Sequence, residues 1–221
     1  MGIELNDLSN SNTGDVEFLF PNGRRLYATR EILSRCPYYK TSNTKVPGRI
    51  AKKVFESGFS EAHWAMTSDS SGHDQNKLQL HMDDDYCAFF NVLYYIMTGR
   101  IQFSVGSSRD VADYPMWCDP QDVYHIADRL AMDDLKEKAL IFLKWSTDNN
   151  TVTPRFMSAA AENHDEVYDV YGDYITENWQ EVKKTQAYRQ YFDDLYARED
   201  DRDRLKRVIR RLCELLARDP A

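Results

Sequence analysis

The stretch DVEFLFPNGRRLYA, residues 15–28, decides the fold class of this chain. Its first half includes a valine, a leucine and two phenylalanines, which favour a β-strand. Pro21-Asn22-Gly23 then supplies turn-forming residues, and a second extended run follows. The stretch therefore predicts a β-hairpin, and residues 29–36 predict a short helix that ends before Pro37.

A further strand and an apolar helix follow along the chain. Residues 77–82 alternate between polar and apolar side chains, which predicts a half-buried strand. The three aspartates at 83–85 favour the start of a helix. The helix that continues to Met97 is apolar on nearly all sides, so we expect it in the core. Gly99 is expected to cap it, and residues 101–103 predict one more short strand.

Helical patterns dominate the rest of the chain. Residues 51–57 predict a second short helix that ends at Gly58, and residues 123–130 and 135–145 predict a helix pair. Beyond Thr153-Pro154 the sequence has helical patterns throughout. We therefore expect an α/β (α+β) fold, in which a small sheet is flanked by a helical cluster and followed by an all-helical extension.

Length, charge and cysteine content limit the class of protein. The 221 residues are 42% hydrophobic, which is enough for a buried core. The net charge of -8 weighs against nucleic-acid binding, because such proteins use a positive field to replace counterions on phosphate. Four widely spaced cysteines indicate reduced thiols. Because the sequence shows neither a signal-like segment nor an apolar run that spans a bilayer, we expect a cytoplasmic or nuclear protein and no membrane partner.

No catalytic motif is recognisable in the sequence. The GxSxG, phosphate-loop and HExxH patterns are absent, and the five histidines are scattered. The aspartates at 83–85 could suggest a metal site, but capping a helix explains them better, because hard-metal sites need several oxygen ligands at loop spacing. We expect no catalytic residue, no cofactor and no metal site.

Five motifs in this order resemble those of the BTB/POZ domain. They are residues 15–18 (DVEF), 33–39 (LSRCPYY), 54–61 (VFESGFSE), 93–99 (LYYIMTG) and 126–132 (IADRLAM). The resemblance implies a BTB/POZ domain over residues 15–146, preceded by an N-terminal segment, residues 1–14. Residues 150–221 resemble the helical, BACK-like extension of the speckle-type adaptors.

The chain departs from the family pattern at three places. Thr29 stands where the family usually has a histidine, and Met97 stands where it has a tyrosine. Residues 41–53 separate two motifs that are continuous in the family. We interpret them as a loop insertion, which costs little closure entropy at a surface site. The insertion lies beside the expected partner-binding edge.

The resemblance also implies a binding site for a partner protein. In BTB adaptors that bind the type-3 cullin, a triplet of a hydrophobic residue, any residue and a glutamate follows the second short helix. Phe59-Ser60-Glu61 matches this triplet. The resemblance makes Phe59 the side chain that fills a pocket on the cullin and Glu61 a polar contact, and one aromatic anchor with a charged rim concentrates binding energy. The alternative is an ordinary helix end with Phe59 packed inward.

A homodimer is a further implication of the resemblance. Asp15 and Arg35 resemble the charged residues near the BTB dimer interface. Ile3, Leu5 and Leu8 could form the short N-terminal helix that many BTB dimers pack or exchange. The alternative for Asp15 and Arg35 is an ordinary surface ion pair, worth less than about 1 kcal/mol.

The last helix, residues 203–218, is amphipathic and must bury its apolar face. We expect it to pack on the preceding helices or to self-pair. Its arginines are expected to pair with the acidic stretch 162–201 rather than with nucleic acid. We also predict that the helices after Pro154 fold onto the BTB domain, because Trp145 and other aromatic residues supply more apolar surface than a solvated extension would tolerate.

These observations and the resemblance together predict an adaptor without enzymatic activity. The expected protein is a homodimer that binds the type-3 cullin as part of a ubiquitin ligase and presents an unknown substrate protein. The alternative is a BTB transcription or chromatin factor, or a scaffold, that acts by self-association only. Against a transcription factor, the sequence shows neither zinc-finger spacing nor a DNA-binding module.

Overall fold

The computed structural model describes residue 8 and residues 14–37, 78–104, 117–197 and 202–217. The insertion at 41–53, the helix expected at 51–57 and the triplet at 59–61 lie outside the described residues. The chain divides into two compact units, residues 1–139 and 140–221. None of the helices in the described part of the chain has the length and apolar character needed to cross a membrane.

The predicted hairpin supplies two strands of the first unit's sheet. Strands β1 (Val16–Leu19) and β2 (Arg25–Ala28) pair antiparallel, and the turn between them places Gly23 at a φ of 77°, which glycine adopts without strain. Strand β3 (Leu78–His81) pairs parallel with the other side of β1, which gives the order β2-β1-β3. The hairpin and the strand predicted at 77–82 are both confirmed.

One face of this sheet packs on the apolar helix. Helix α1 (Arg30–Leu33) follows the hairpin, and helix α2 (Tyr86–Thr98) follows β3. The rings of Phe18 in β1 and Phe89 in α2 are both buried, with their centroids 4.8 Å apart. Buried residues lie around most of the circumference of α2, as its sequence predicts. The core of the first unit therefore forms between the sheet and α2.

Both ends of α2 have the caps that the sequence predicts. The Asp85 side chain accepts a hydrogen bond from the Ala88 N–H at 2.9 Å. Gly99 has a left-handed backbone with a φ of 71°, and its N–H donates to the Tyr95 carbonyl at 2.7 Å. The aspartates before α2 therefore include a true N-cap, and the helix ends where glycine relieves the backbone.

The predicted helix pair is also confirmed. Helix α3 (Pro120–Arg129) begins three residues earlier than expected, since Asp119 caps it and a proline fits the first helical position. Helix α4 (Asp133–Ser146) follows after a tight turn. The strand predicted over 101–103 is wrong: the described residues there make an isolated bridge between Phe103 and Cys118 instead.

The second unit is helical, as the sequence predicts. Within the described residues its elements after α4 are α5 (Val152–Phe156), α6 (Ala159–Asn163), α7 (Asp165–Val182), α8 (Gln186–Ala197) and α9 (Arg202–Leu216). Phe156 and Tyr168 join α5 to α7 with ring centroids 4.8 Å apart. Gly172 of α7 leaves room for Leu215 of α9, which an added Cβ would approach to 2.9 Å. The division between the two units falls inside α4, whereas the sequence places it after residue 146.

Candidate interaction site

Asp15 lies at the junction between the hairpin and α1. One carboxylate oxygen accepts the Arg30 N–H at 2.8 Å, and the other lies 3.1 Å from Arg30 Nε. Thr29 adds a cap, because its hydroxyl accepts the Ile32 N–H at 3.2 Å. The ion pair that the structure gives Asp15 is therefore with Arg30, while Arg35 lies exposed beyond α1. Asp15 fixes the start of α1, and the dimer role of Asp15 and Arg35 stays a prediction.

Of the three apolar residues in the predicted N-terminal dimer segment, the structure describes Leu8. Leu8 is only 2% exposed and belongs to the apolar core of the first unit. Burial of its side chain in this core removes apolar surface from water. Ile3 and Leu5 lie outside the described residues, so their part in a dimer stays a prediction.

A buried carboxylate on the other face of the sheet was missed by the sequence analysis. Glu17 is 4% exposed and accepts hydrogen bonds from Arg25 Nη1 at 3.0 Å, Tyr27 Oη at 3.1 Å and Gln79 Nε2 at 2.7 Å. The register places Tyr27 and Gln79 directly opposite Glu17 on the two neighbouring strands. Burial, followed by the bond to Glu17, raises the pKa of Tyr27 above its usual value.

Glu17 and its three donors, Arg25, Tyr27 and Gln79, form a cluster that links strands β1, β2 and β3 through hydrogen bonds. A buried carboxylate is costly unless several donors satisfy it, and here each strand contributes at least one member of the cluster. The alternation of Val16, Glu17 and Phe18 was the available signal, because it aims Glu17 at the face opposite the core. The donors that satisfy Glu17 come from its own chain, so the cluster stabilises the sheet rather than offering a binding site.

Two polar contacts tie α3 and α4 to the α2 region within the first unit. Arg129 of α3 forms an ion pair with Asp84, the aspartate before the α2 cap. Tyr95 Oη of α2 donates to Asp134 of α4 at 2.5 Å. Burial, followed by this hydrogen bond, raises the pKa of Tyr95 to about 12. Asp84 and Asp85 thus have structural partners. The described residues contain no group of side chains that could hold a metal ion.

The Cys118 thiol has the environment of an inert cysteine. Cys118 is buried, and its Sγ lies 3.3 Å from the Gln102 carbonyl oxygen. Burial, followed by the charge of Asp119, raises the pKa of the Cys118 thiol far above its usual value. A thiol held protonated is a poor nucleophile, so this position offers no reactive site.

Part of the basic last helix pairs with the acidic stretch, as the sequence predicts. Arg211 of α9 lies 3.7 Å from Glu162, donates to the Ala161 carbonyl at 3.3 Å and sits over the Tyr168 ring at 4.7 Å. The apolar face of α9 is divided, because Val208, Leu212 and Leu215 are buried whereas Ile209 and Leu216 are exposed. Arg211 therefore helps to hold α9 within the second unit.

The exposed side of α4 presents two large apolar side chains, and the sequence analysis assigned one of them, Trp145, to packing. Trp145 is 89% exposed and Ile141 is 61% exposed, which contradicts the expectation that Trp145 is covered. Their positions lie half a helical turn away from the buried stripe of Leu135, Ala139 and Leu143. The spacing of residues 141 and 145 relative to 139 and 143 is visible in the sequence, and it predicts an apolar pair on the outer face of the helix.

The two predicted cullin-binding residues, Phe59 and Glu61, lie outside the described residues. Comparison of the sequence with known proteins gives no family assignment. No protein-family model matches the chain, and no curated protein matches it either.

Proposed function

We propose that this chain is a protein-interaction adaptor of the BTB/POZ type, without enzymatic activity of its own. The observation that carries the proposal is the order of elements in the first unit. In the described residues a hairpin, a short helix, a strand, an apolar helix and a helix pair follow one another. The second short helix expected at 51–57 lies outside the described residues, and the strand expected at 101–103 is an isolated bridge. The helices of the second unit follow in the place of the adaptor extension.

The arrangement of these elements adds support. The hairpin strand β1 is central and pairs with β3 on its other side, so the segments before and after residues 38–77 belong to one sheet. The apolar α2 fills the core against this sheet through Phe18 and Phe89. The described chain on the two sides of residues 38–77 therefore contributes to one core.

In the proposed function, two copies of the chain associate and each recruits the type-3 cullin through Phe59 and Glu61. Phe59 supplies an apolar anchor for a pocket on the cullin, and Glu61 supplies a carboxylate at its rim. The assembly then forms part of a ubiquitin ligase that acts on a separate substrate protein.

Calorimetry of the full chain with the N-terminal region of the type-3 cullin tests this proposal. We expect heat of binding with the unmutated chain. We expect Phe59→Ala to weaken binding roughly 30-fold, since a buried aromatic anchor contributes about 2 kcal/mol or more. Glu61→Ala should cost less, because a rim carboxylate stays partly solvated.

Tyr196→Ala is the matched control, because Tyr196 is an aromatic residue exposed on α8 of the second unit. It should bind the cullin like the unmutated chain, and all variants should keep the thermal midpoint of the unmutated chain. Absence of heat with the unmutated chain would sink cullin recruitment. Self-association, as in a scaffold or a chromatin factor, would then be the better account.

A further inference from the structure

The exposed side of α4 carries two large apolar side chains one helical turn apart. Ile141 and Trp145 are mostly exposed, although most large apolar residues of the described chain are buried. The spacing of four residues places them next to each other on one face of the helix. An exposed tryptophan beside an isoleucine leaves apolar area in water, and tryptophan is enriched where partners bind most strongly.

Charged residues flank this apolar pair in a symmetric pattern. Glu137 and Lys144 are seven residues apart, and so are Lys138 and Trp145; all four side chains are exposed. Seven residues correspond to two helical turns, or about 10 Å along the axis. The midpoint of each pair lies within one residue of Ile141. We call these five residues, Glu137, Lys138, Ile141, Lys144 and Trp145, the α4 patch.

The pattern is self-complementary in an antiparallel pair. When two copies of α4 lie antiparallel with Ile141 at the two-fold axis, Glu137 of each copy meets Lys144 of the other. Lys138 of each copy then meets the Trp145 ring of the other, where a cation is attracted to the face of the indole. A parallel pairing would instead bring Glu137 of each copy to Lys138 of the other, so reversing the charges at 137 and 144 together would not restore that pairing.

The geometry points to the α4 patch as a docking surface for a second copy of this chain, paired antiparallel about Ile141. This surface is separate from the N-terminal segment invoked for the proposed homodimer, and it does not depend on that dimer. A chain with two different two-fold surfaces forms assemblies larger than a dimer. The α4 patch would thus extend pairs of copies into larger assemblies.

Charge reversal tests the pairing. Sedimentation velocity of the full chain over a range of micromolar concentrations measures the dissociation constant of the α4 contact. We run it in a background with Ile3→Asp and Leu5→Asp, which removes the N-terminal contribution. Glu137→Lys alone and Lys144→Glu alone should each weaken association at least several-fold, because each creates two like-charged contacts. The double variant, Glu137→Lys with Lys144→Glu, should restore it.

Trp145→Ala should weaken association roughly 30-fold if the indole is the main anchor. Glu181→Lys is the matched control, because Glu181 is an exposed glutamate on α7 of the second unit, and it should change nothing. Circular dichroism confirms that each surface variant is folded. A chain that stays monomeric in this background overturns the inference. So does a double variant that fails to restore association, which would leave the patch to a different partner protein.

Discussion

Ala131 has a left-handed backbone although it is not a glycine. Its φ is 53°, and it lies exposed in the turn between α3 and α4. The Met132 N–H donates to the Ala127 carbonyl at 2.9 Å, and the Ala131 N–H donates to the Asp128 carbonyl at 3.1 Å. These two bonds are the pattern that closes a helix with a left-handed residue, a position that glycine usually occupies.

We therefore expect Ala131→Gly to stabilise the protein. A left-handed conformation costs an alanine about 1–2 kcal/mol, and the greater freedom of glycine in the unfolded chain offsets about 0.5–1 kcal/mol of this gain. The free energy of unfolding, measured with urea, should rise by about 0.5 kcal/mol or more. Ala139→Gly, inside the regular part of α4, should lower it by about 1 kcal/mol or more. A loss at both positions would contradict this account.

Single residues were predictable where their partners are local. Asp85 and Gly99 satisfy backbone groups within one turn of themselves, so their roles follow from residue type and position. The partners of Glu17 and Asp15 were not predictable in this way. Gln79 reaches Glu17 only after the strands have paired, and Arg30 reaches Asp15 only after α1 has formed beside the hairpin. Asp15 was expected near Arg35 and pairs with Arg30, whose backbone N–H the start of α1 places beside it.

At the scale of elements, one hydrogen bond joins α2 to α4 within the first unit. Tyr95 is mostly buried, and its hydroxyl donates to the Asp134 carboxylate. Folding raises the pKa of this phenol from its ordinary value of 10.0 to about 12, first through burial and then through the bond to Asp134. The folded state therefore holds the proton more tightly than the unfolded state.

The stability that Tyr95 contributes should therefore fall at high pH. The contribution of Tyr95 to the free energy of unfolding is complete below pH 10 and is lost as the pH rises from 10 to about 12. Tyr95→Phe should lower the free energy of unfolding at neutral pH by about 1.5–3 kcal/mol, a typical value for a hydrogen bond to a charged group. Urea unfolding of both proteins across this pH range should show the difference shrinking. A difference that stays constant with pH would contradict the role of this bond.

Element boundaries show where sequence patterns lose information. The stretch 101–103 has strand character, yet its pairing depends on Cys118, which lies 15 residues after Phe103, and the described residues form one bridge there. Helix α4 was located correctly, but its outer face was not, because Ile141 and Trp145 have the composition of a buried surface. Composition predicts which side chains gain from burial, whereas it does not reveal whether the partner lies in the same chain.

For the whole molecule, the decisive question is how copies of the chain associate. The proposed adaptor is a homodimer through its N-terminal segment, in which Leu8 is anchored in the core and Ile3 and Leu5 precede it. An Ile141→Asp background isolates this contact, because it removes the apolar centre of the α4 patch. Light scattering at micromolar concentration should then give about twice the chain mass of 25.9 kDa.

In that background, adding Ile3→Asp and Leu5→Asp should lower the mass to that of one chain, because a carboxylate in an apolar dimer contact is left without a partner. Ile209→Asp is the control, since Ile209 is an exposed apolar residue of α9 in the second unit, and it should leave the mass at two chains. A mass of one chain at every concentration, without the N-terminal substitutions, would remove the N-terminal dimer. The α4 pairing would still stand on its own measurement, because each background eliminates one of the two surfaces and leaves the other intact.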